Sequence, residues 1–408
     1  MKPRGYLVAG LAATLVSLVA GHFRSTPYNN YVLLADALLH GHTWIAWPGA
    51  YIDALAYHGQ YYVIEGPVPA LLLLPYVAIA GLGANQTLLS AILCGVAIGA
   101  AWELARRLGV SRETAIWLTV FLLAGTDLLW CATLGDVWFI AHVSAVAFTL
   151  LALVELCGKR RGWLIALWAI AAAGSRFSLV LALPVYAALL IAADAQPERR
   201  RADPNRLRAP LLGFGCVLLA AGAVYIAYNL LRWGTVADIG YTTWYHRDSA
   251  GSPTGAPFRL QYLSYQLWSF FVQRPDFAAA FPWIHPTYSG VALTWTSPAL
   301  IFALWARTPR AFVLALWSAA ILVAVPSFLY YVNGFAQYGM RHALDFIPFL
   351  FALMALAARE QPALSPSTYS GQALPKGLPL WTKVLIVYSC IASLYGVWYW
   401  NAILRTGN

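Results

Sequence analysis

"GQYYVIEGPVPALLLLPYVAIAGLG", residues 59–83, opens with aromatics and one carboxylate, Glu65, and then becomes apolar chain punctuated by Pro67, Pro69 and Pro75. Whether this stretch crosses a membrane decides the topology of everything after it. The chain has 408 residues, of which 61% are hydrophobic and 10% charged. That much apolar surface does not fit into the core of one soluble domain. Repeated apolar runs of about 18 to 22 residues are long enough to cross a hydrocarbon layer of roughly 30 Å. The sequence therefore reads as an all-α polytopic membrane protein, one transmembrane domain over residues 1–408, with no Gly-rich nucleotide loop and no solenoid repeat.

The net charge of +10 is distributed in short clusters between apolar runs: Arg106, Arg107 and Arg112; Lys159 to Arg161; Arg199 to Arg208; Arg307 and Arg310; and Arg359, Lys376 and Lys383. Clusters of this kind mark cytoplasmic loops and argue against nucleic acid as a partner. With Lys2 and Arg4 inside, Tyr6 to Val19 is a retained first helix rather than a cleaved signal. If 67–83 and 87–104 both crossed, every later cluster would be inverted. Reading 67–83 as a re-entrant helix corrects all of them, and its prolines suit a broken helix lodged against protein. Crossings then follow at 87–105, 114–132, 139–157, 162–175, 177–193, 211–231, 289–306, 311–330, 344–358 and 382–400. With the first helix this makes eleven, and 18 of the 26 Lys and Arg fall inside. Residues 23–83 form a first external loop with in-plane and re-entrant helices, 232–288 a large external loop, and 359–381 a cytoplasmic linker. Cys94, Cys131, Cys157, Cys216 and Cys390 lack metal-type spacing and read as small buried hydrophobes.

Polar and aromatic residues concentrate in the external segments. "NNYVLLADALLHGH" (29–42) reads as a three-turn in-plane helix that Gly41 stops, with Asn29, Leu33, Asp36 and His40 on one face. Asp36 is either a solvated surface acid or a candidate base. Asp53 and Glu65 each sit among aromatics and aliphatics, where a carboxylate is paired, metal-bound or primed as a general base; a bond to Arg24 or a helix cap serves equally. Asp136 and His142 in "TLGDVWFIAHVSA" (133–145) lie at the outer mouth of the bundle, where Asp136 also has a simple role at a helix N-terminus. Arg176 and the group Arg341, His342 and Asp345 begin external helix ends. Two arginines there suit an anionic headgroup, although Arg341 and Asp345 also have the spacing of an ion pair. Trp44, Tyr241, Trp244, Tyr245 and His246 form aromatic groups that fit either an interfacial belt or a sugar platform.

The order of these segments resembles the C-type (GT-C) membrane glycosyltransferases of glycosyltransferase family 39, the group of the protein O-mannosyltransferases and lipid A aminoarabinose transferases. "YNNYVLLADALLHGHTWIA" (28–46) looks like their first in-plane helix, and "IEGPVP" (64–69) like the motif opening their third. "GDVWFIAH" (135–142) stands where they have a second external acid, and "YGMRHALDFIPF" (338–349) looks like a late Gly-x-Arg motif. The resemblance implies a GT-C-like bundle in the plasma or inner membrane. It implies transfer of a sugar from a polyprenyl-phosphate donor to a glycan, lipid or protein acceptor on the external face. Arg341, Arg176 and His342 would hold the donor phosphate, and Glu65 and Asp136 would hold a divalent cation if one is used. Two positions depart from that pattern: Tyr28, Asn29 and Asn30 replace an Asp-Glu pair, and Gly66 replaces a lysine. An amide does not take a proton from a hydroxyl at neutral pH, so Asp53 is the expected base, with Asp36 behind it. Two alternatives stand beside this reading. A transporter or flippase would use mid-span charge, for which Asp127 is the clear acid. An O-antigen ligase or polymerase would use Arg232, Arg247, Arg259 and Arg274.

Overall fold

The computed structural model describes residues 4–46, 54–192, 208–247, 256–334, 336–360 and 377–404. Helices dominate, joined by short turns and two small hairpins. Among the described residues, five helices are long and apolar enough to cross a membrane: Gln86–Arg107, Val137–Leu156, Ala209–Trp233, Arg310–Leu329 and Leu380–Ile403. Arg112–Ala124 and Leu128–Leu134, bent by 49° at their junction, make a sixth if taken as one span. Length and composition by themselves thus support five or six crossings, and do not establish the expected eleven. The other expected crossings fall on shorter pieces, namely Gly5–Ala20, Gly162–Ala173, Phe177–Ile191 and Ile347–Arg359, and on the 3₁₀ turn Pro298–Trp305. A count of apolar residues does not register where the backbone tightens or breaks, and the structure breaks these runs at glycines, prolines and 3₁₀ turns.

Helices pack through small residues. Gly10 faces Gly95 and Gly99 so closely that a Cβ at Gly10 would stand 2.8 Å from the Gly95 carbonyl oxygen. That close approach joins the first helix, Arg4–Ala20, to Gln86–Arg107, as small-xxx-small spacing allows. Outward faces are apolar: Leu11, Ile79, Leu219 and Val224 are each at least 70% exposed, a surface that belongs in lipid. Cys216 lies on such a face and is exposed, against the expectation of burial, whereas Cys94 and Cys131 are buried.

Side-chain ties define two ends of the bundle. At one end Arg107 donates to the Val154 carbonyl (2.7 Å), Arg359 to the Thr308 carbonyl (3.1 Å), and Lys383 pairs with Glu113 (2.7 Å). At the other, Gln86 donates to the Gly135 carbonyl (2.7 Å), the Val68 N–H to the Gly174 carbonyl (3.1 Å), and Arg232 to the Val63 carbonyl (2.9 Å). Val68 and Gln86 both belong to this second end. The helix between them, Val68–Ala80, therefore leaves from and returns to the same end. The helix Asn30–Leu39 lies beside it, with Tyr31, Val32, Leu34 and Ala35 buried.

Candidate functional site

A hairpin delivers the first acid. Strands Ala54–Tyr57 and Gln60–Val63 pair antiparallel through a two-residue turn, His58 and Gly59, both with positive φ, the conformation tight hairpins favour. The chain leaves the hairpin through Ile64 to the buried Glu65. Gly66 then meets the backbone of Gly174 and Ser175; a Cβ there would lie 2.2 Å from the Gly174 carbonyl oxygen. This contact explains why no lysine occupies position 66, and it brings Glu65 next to the turn that carries Arg176.

Arg176 is the hub of a buried network. Its Nε donates to both carboxylate oxygens of Asp345 (3.3 and 3.2 Å), and its Nη2 donates to His342 Nδ1 (3.0 Å). Asp345 also bonds His142 Nδ1 (2.7 Å) and accepts from the Ser178 hydroxyl (2.7 Å). Burial works against the Arg176 charge, but Asp345, with smaller help from Tyr241 and Tyr31, outweighs it, and the guanidinium pKa is raised. His342 is held well below the usual histidine value by burial and by the charges of Arg176 and Arg341. It is therefore a neutral acceptor that orients Arg176, and not a second cation for a phosphate.

Arg341 is buried beside this hub, with its guanidinium carbon 5.3 Å from the ring centre of Phe139. Burial, followed by the like charge of Arg176, brings it down to about 10. The Arg341–Asp345 pairing that the spacing suggested does not form in the structure's Asp345 network, because residues 341–345 are a 3₁₀ turn. Three residues per turn place position i+4 a third of a turn away from i. Two phenols complete the group. Tyr31 is fully buried, and among the described residues its hydroxyl has no hydrogen-bond partner. Burial and the nearby Glu65 carboxylate raise the pKa of both Tyr31 and Tyr241, so both remain neutral donors.

The other candidates lie at varying distance from this hub. Trp44, Tyr241 and Trp244 pack on a small apolar cluster of Leu55, Tyr62, Ile64 and Trp233 next to the hairpin. Tyr245 is buried against Tyr331, with ring centres 5.3 Å apart, while His246 is exposed. Asp36 is not brought to the hub; it faces the other side of its helix and lies 3.7 Å from exposed His40. Asp53 lies outside the described residues. Asp136 precedes the helix Val137–Leu156 and accepts a hydrogen bond from the Thr26 hydroxyl. Among the described residues, no three His, Cys, Asp or Glu side chains come together to hold a metal ion. A hard divalent cation takes about six oxygen ligands. Glu65 among phenols and Asp136 on Thr26 do not compose such a set, and no step is assigned to a metal. Ser178 and Tyr31 are the members of the site that the sequence did not single out, while His142 and Asp345 were named there without their mutual contact.

No protein-family model matches the sequence, and no curated protein matches it either. Among solved structures, the crystal structure of the Archaeoglobus fulgidus oligosaccharyltransferase in its apo form aligns over 97% of this chain with TM-score 0.51 and 14% identity. This chain has the GT-C fold. It spans 55% of the length of that archaeal protein, and at this identity the likeness is one of fold.

Proposed function

We propose that this GT-C protein transfers a glycosyl group from a polyprenyl-phosphate donor to a hydroxyl of a glycan, lipid or protein acceptor, at the extracytoplasmic face of the cell membrane. The observation that carries the reading is that two arginines gather at one site: Arg341 is buried, and the charge of Arg176, whose side chain is 19% exposed, lowers the Arg341 pKa. Like charges gathered out of water are stabilised when an anion lies between them, and a planar guanidinium matches a phosphate. Lipid-linked donors also suit a fold without a nucleotide-binding loop.

In this scheme the donor phosphate lies against Arg176 and Arg341. Glu65 takes the proton of the acceptor hydroxyl, in the role first expected of Asp53. The acceptor oxygen attacks the anomeric carbon from the face opposite the phosphate, the bond from that carbon to the phosphate oxygen breaks, and the configuration inverts. The departing polyprenyl phosphate keeps the electron pair, and its charge is stabilised by the two guanidiniums. Asp345, His142, Ser178 and His342 fix Arg176 in place. Trp44, Tyr241 and Trp244 offer ring faces to sugar C–H groups, whereas Tyr245 is buried against Tyr331.

Purified protein in liposomes, given labelled polyprenyl-phosphate sugars and candidate acceptors, tests the reading. Transfer is expected, with loss of about 10²–10⁴ in rate in Glu65→Gln, the usual range for a general base. Full transfer in Glu65→Gln with loss in Asp53→Asn would return the base to Asp53. Movement of lipid-linked sugar across the bilayer without any transfer would replace the enzyme by a flippase.

A further inference from the structure

Asp127 sits where Arg112–Ala124 bends by 49° into Leu128–Leu134. It is 5% exposed, and among the described residues neither of its carboxylate oxygens has a hydrogen-bond partner. The segment that carries Arg341 lies directly on it: a Cβ at Gly339 would stand 2.4 and 2.5 Å from the two oxygens. The proposed scheme gives this carboxylate no role, and a fully buried acid without donors calls for one.

The groups around it are few. Arg341 acts on Asp127 from the 3₁₀ turn, Cys131 from one turn along its own helix, and Tyr338 from the segment above. The Tyr338 hydroxyl is committed to the Ala392 carbonyl. A further layer comprises Cys94 of Gln86–Arg107 and Asp136 before Val137–Leu156, both facing Cys131, and Tyr388 and Tyr395 of Leu380–Tyr399, both facing Tyr338. Of all these groups, only Arg341 is positive. The ionised form of Asp127 is therefore compensated by the same guanidinium that the proposed function assigns to the donor phosphate.

We propose that Asp127 takes up a proton when an anionic phosphate binds at Arg341, so that donor binding is coupled to pH; this rests on Arg341 being a phosphate ligand. A bound phosphate cancels the field of Arg341 at Asp127, and a carboxylate ion without donors or countercharge is strongly disfavoured in a water-free site. The balance is one phosphate anion and one proton bound together, with no covalent change. By linkage, affinity falls as pH rises through the range in which free Asp127 is ionised and bound Asp127 is not.

The test uses the full chain in nanodiscs and a polyprenyl methyl phosphate, a phosphodiester whose single charge does not titrate near neutrality. The wild-type dissociation constant is expected to rise by about tenfold per pH unit somewhere between about pH 5 and 9. In Asp127→Asn, which keeps the shape but holds no exchangeable charge, it is expected to stay within about twofold over that range. Calorimetry of the wild type in buffers of different ionisation enthalpy, at the pH of steepest slope, should count about one proton taken up, and this readout stands even if the variant fails to fold. Binding with a flat pH profile, or with the same slope in Asp127→Asn, overturns the coupling and leaves the phosphate site intact. Absence of binding at every pH, or equal affinity in Arg341→Gln, overturns the phosphate site and the coupling together.

Discussion

The two ends of the bundle use the same charged residues in different ways. At the basic end, Lys383 meets Glu113 with the glutamate 70% exposed, and Arg161 meets Glu155 with the arginine 45% exposed. Pairs of this kind work in high dielectric and are screened by salt, so each is worth little. At the other end, Asp345 is fully buried and has four hydrogen bonds from three partners: two from Arg176 Nε, one with His142 and one from Ser178. Removing one member there leaves an unpaired charge in a dry site, a far larger loss. The difference is one of environment: charge at the first end meets solvent, while charge at the second is enclosed in a hydrogen-bonded network.

Substitutions sharpen that contrast. The largest expected effect is that of Arg176→Ala: transfer falls by about 10²–10³, the range seen when a preorganised donor to a developing charge is removed. Arg176→Lys restores little, because a point charge cannot serve Asp345, His342 and a phosphate together; substantial rescue by lysine, measured as transfer in liposomes, would reduce the site to a general positive field. Next, Asp345→Asn should lower unfolding free energy by about 3–5 kcal/mol, as for a broken buried ion pair, read from chemical denaturation in detergent.

A smaller effect is expected from pH. His342 is neutral in the folded chain, whereas the unfolded side chain protonates near 6.5. Its folded-state pKa is depressed, so the unfolded state binds the extra proton below about 6.5, and stability is lost as pH falls from there. The slope should be at most ~1.4 kcal/mol per pH unit for this one group. Thermal melts between about pH 7.5 and 5.5 should show it, and His342→Gln should flatten it. Smallest of all, Lys383→Ala at the basic end should change stability by less than about 1 kcal/mol and leave transfer untouched. A large effect there would erase the distinction between the ends.

Parts of this were legible in advance. The helix Asn30–Leu39 could be read from its periodicity and from Gly41, whose φ of 78° ends it. Arg176 and Arg341 stood out as arginines at the ends of apolar runs. The hairpin was not foreseen, although His58–Gly59 is the kind of pair that two-residue turns favour. Asp345 was read onto Arg341 because α-helical spacing was applied to what is a 3₁₀ turn. The lengths of the helical pieces were not legible either: hydropathy reports composition and is blind to how tightly the backbone is wound.

Composition alone determined that this is a helical membrane protein with its basic residues sorted between apolar runs, because those properties are sums over short windows. Only the tertiary structure decided that Arg176 grips Asp345, 169 residues away, and that Gly66 rests on Gly174. Contacts between distant residues are set by how helices pack and where they break, and local periodicity carries no record of either.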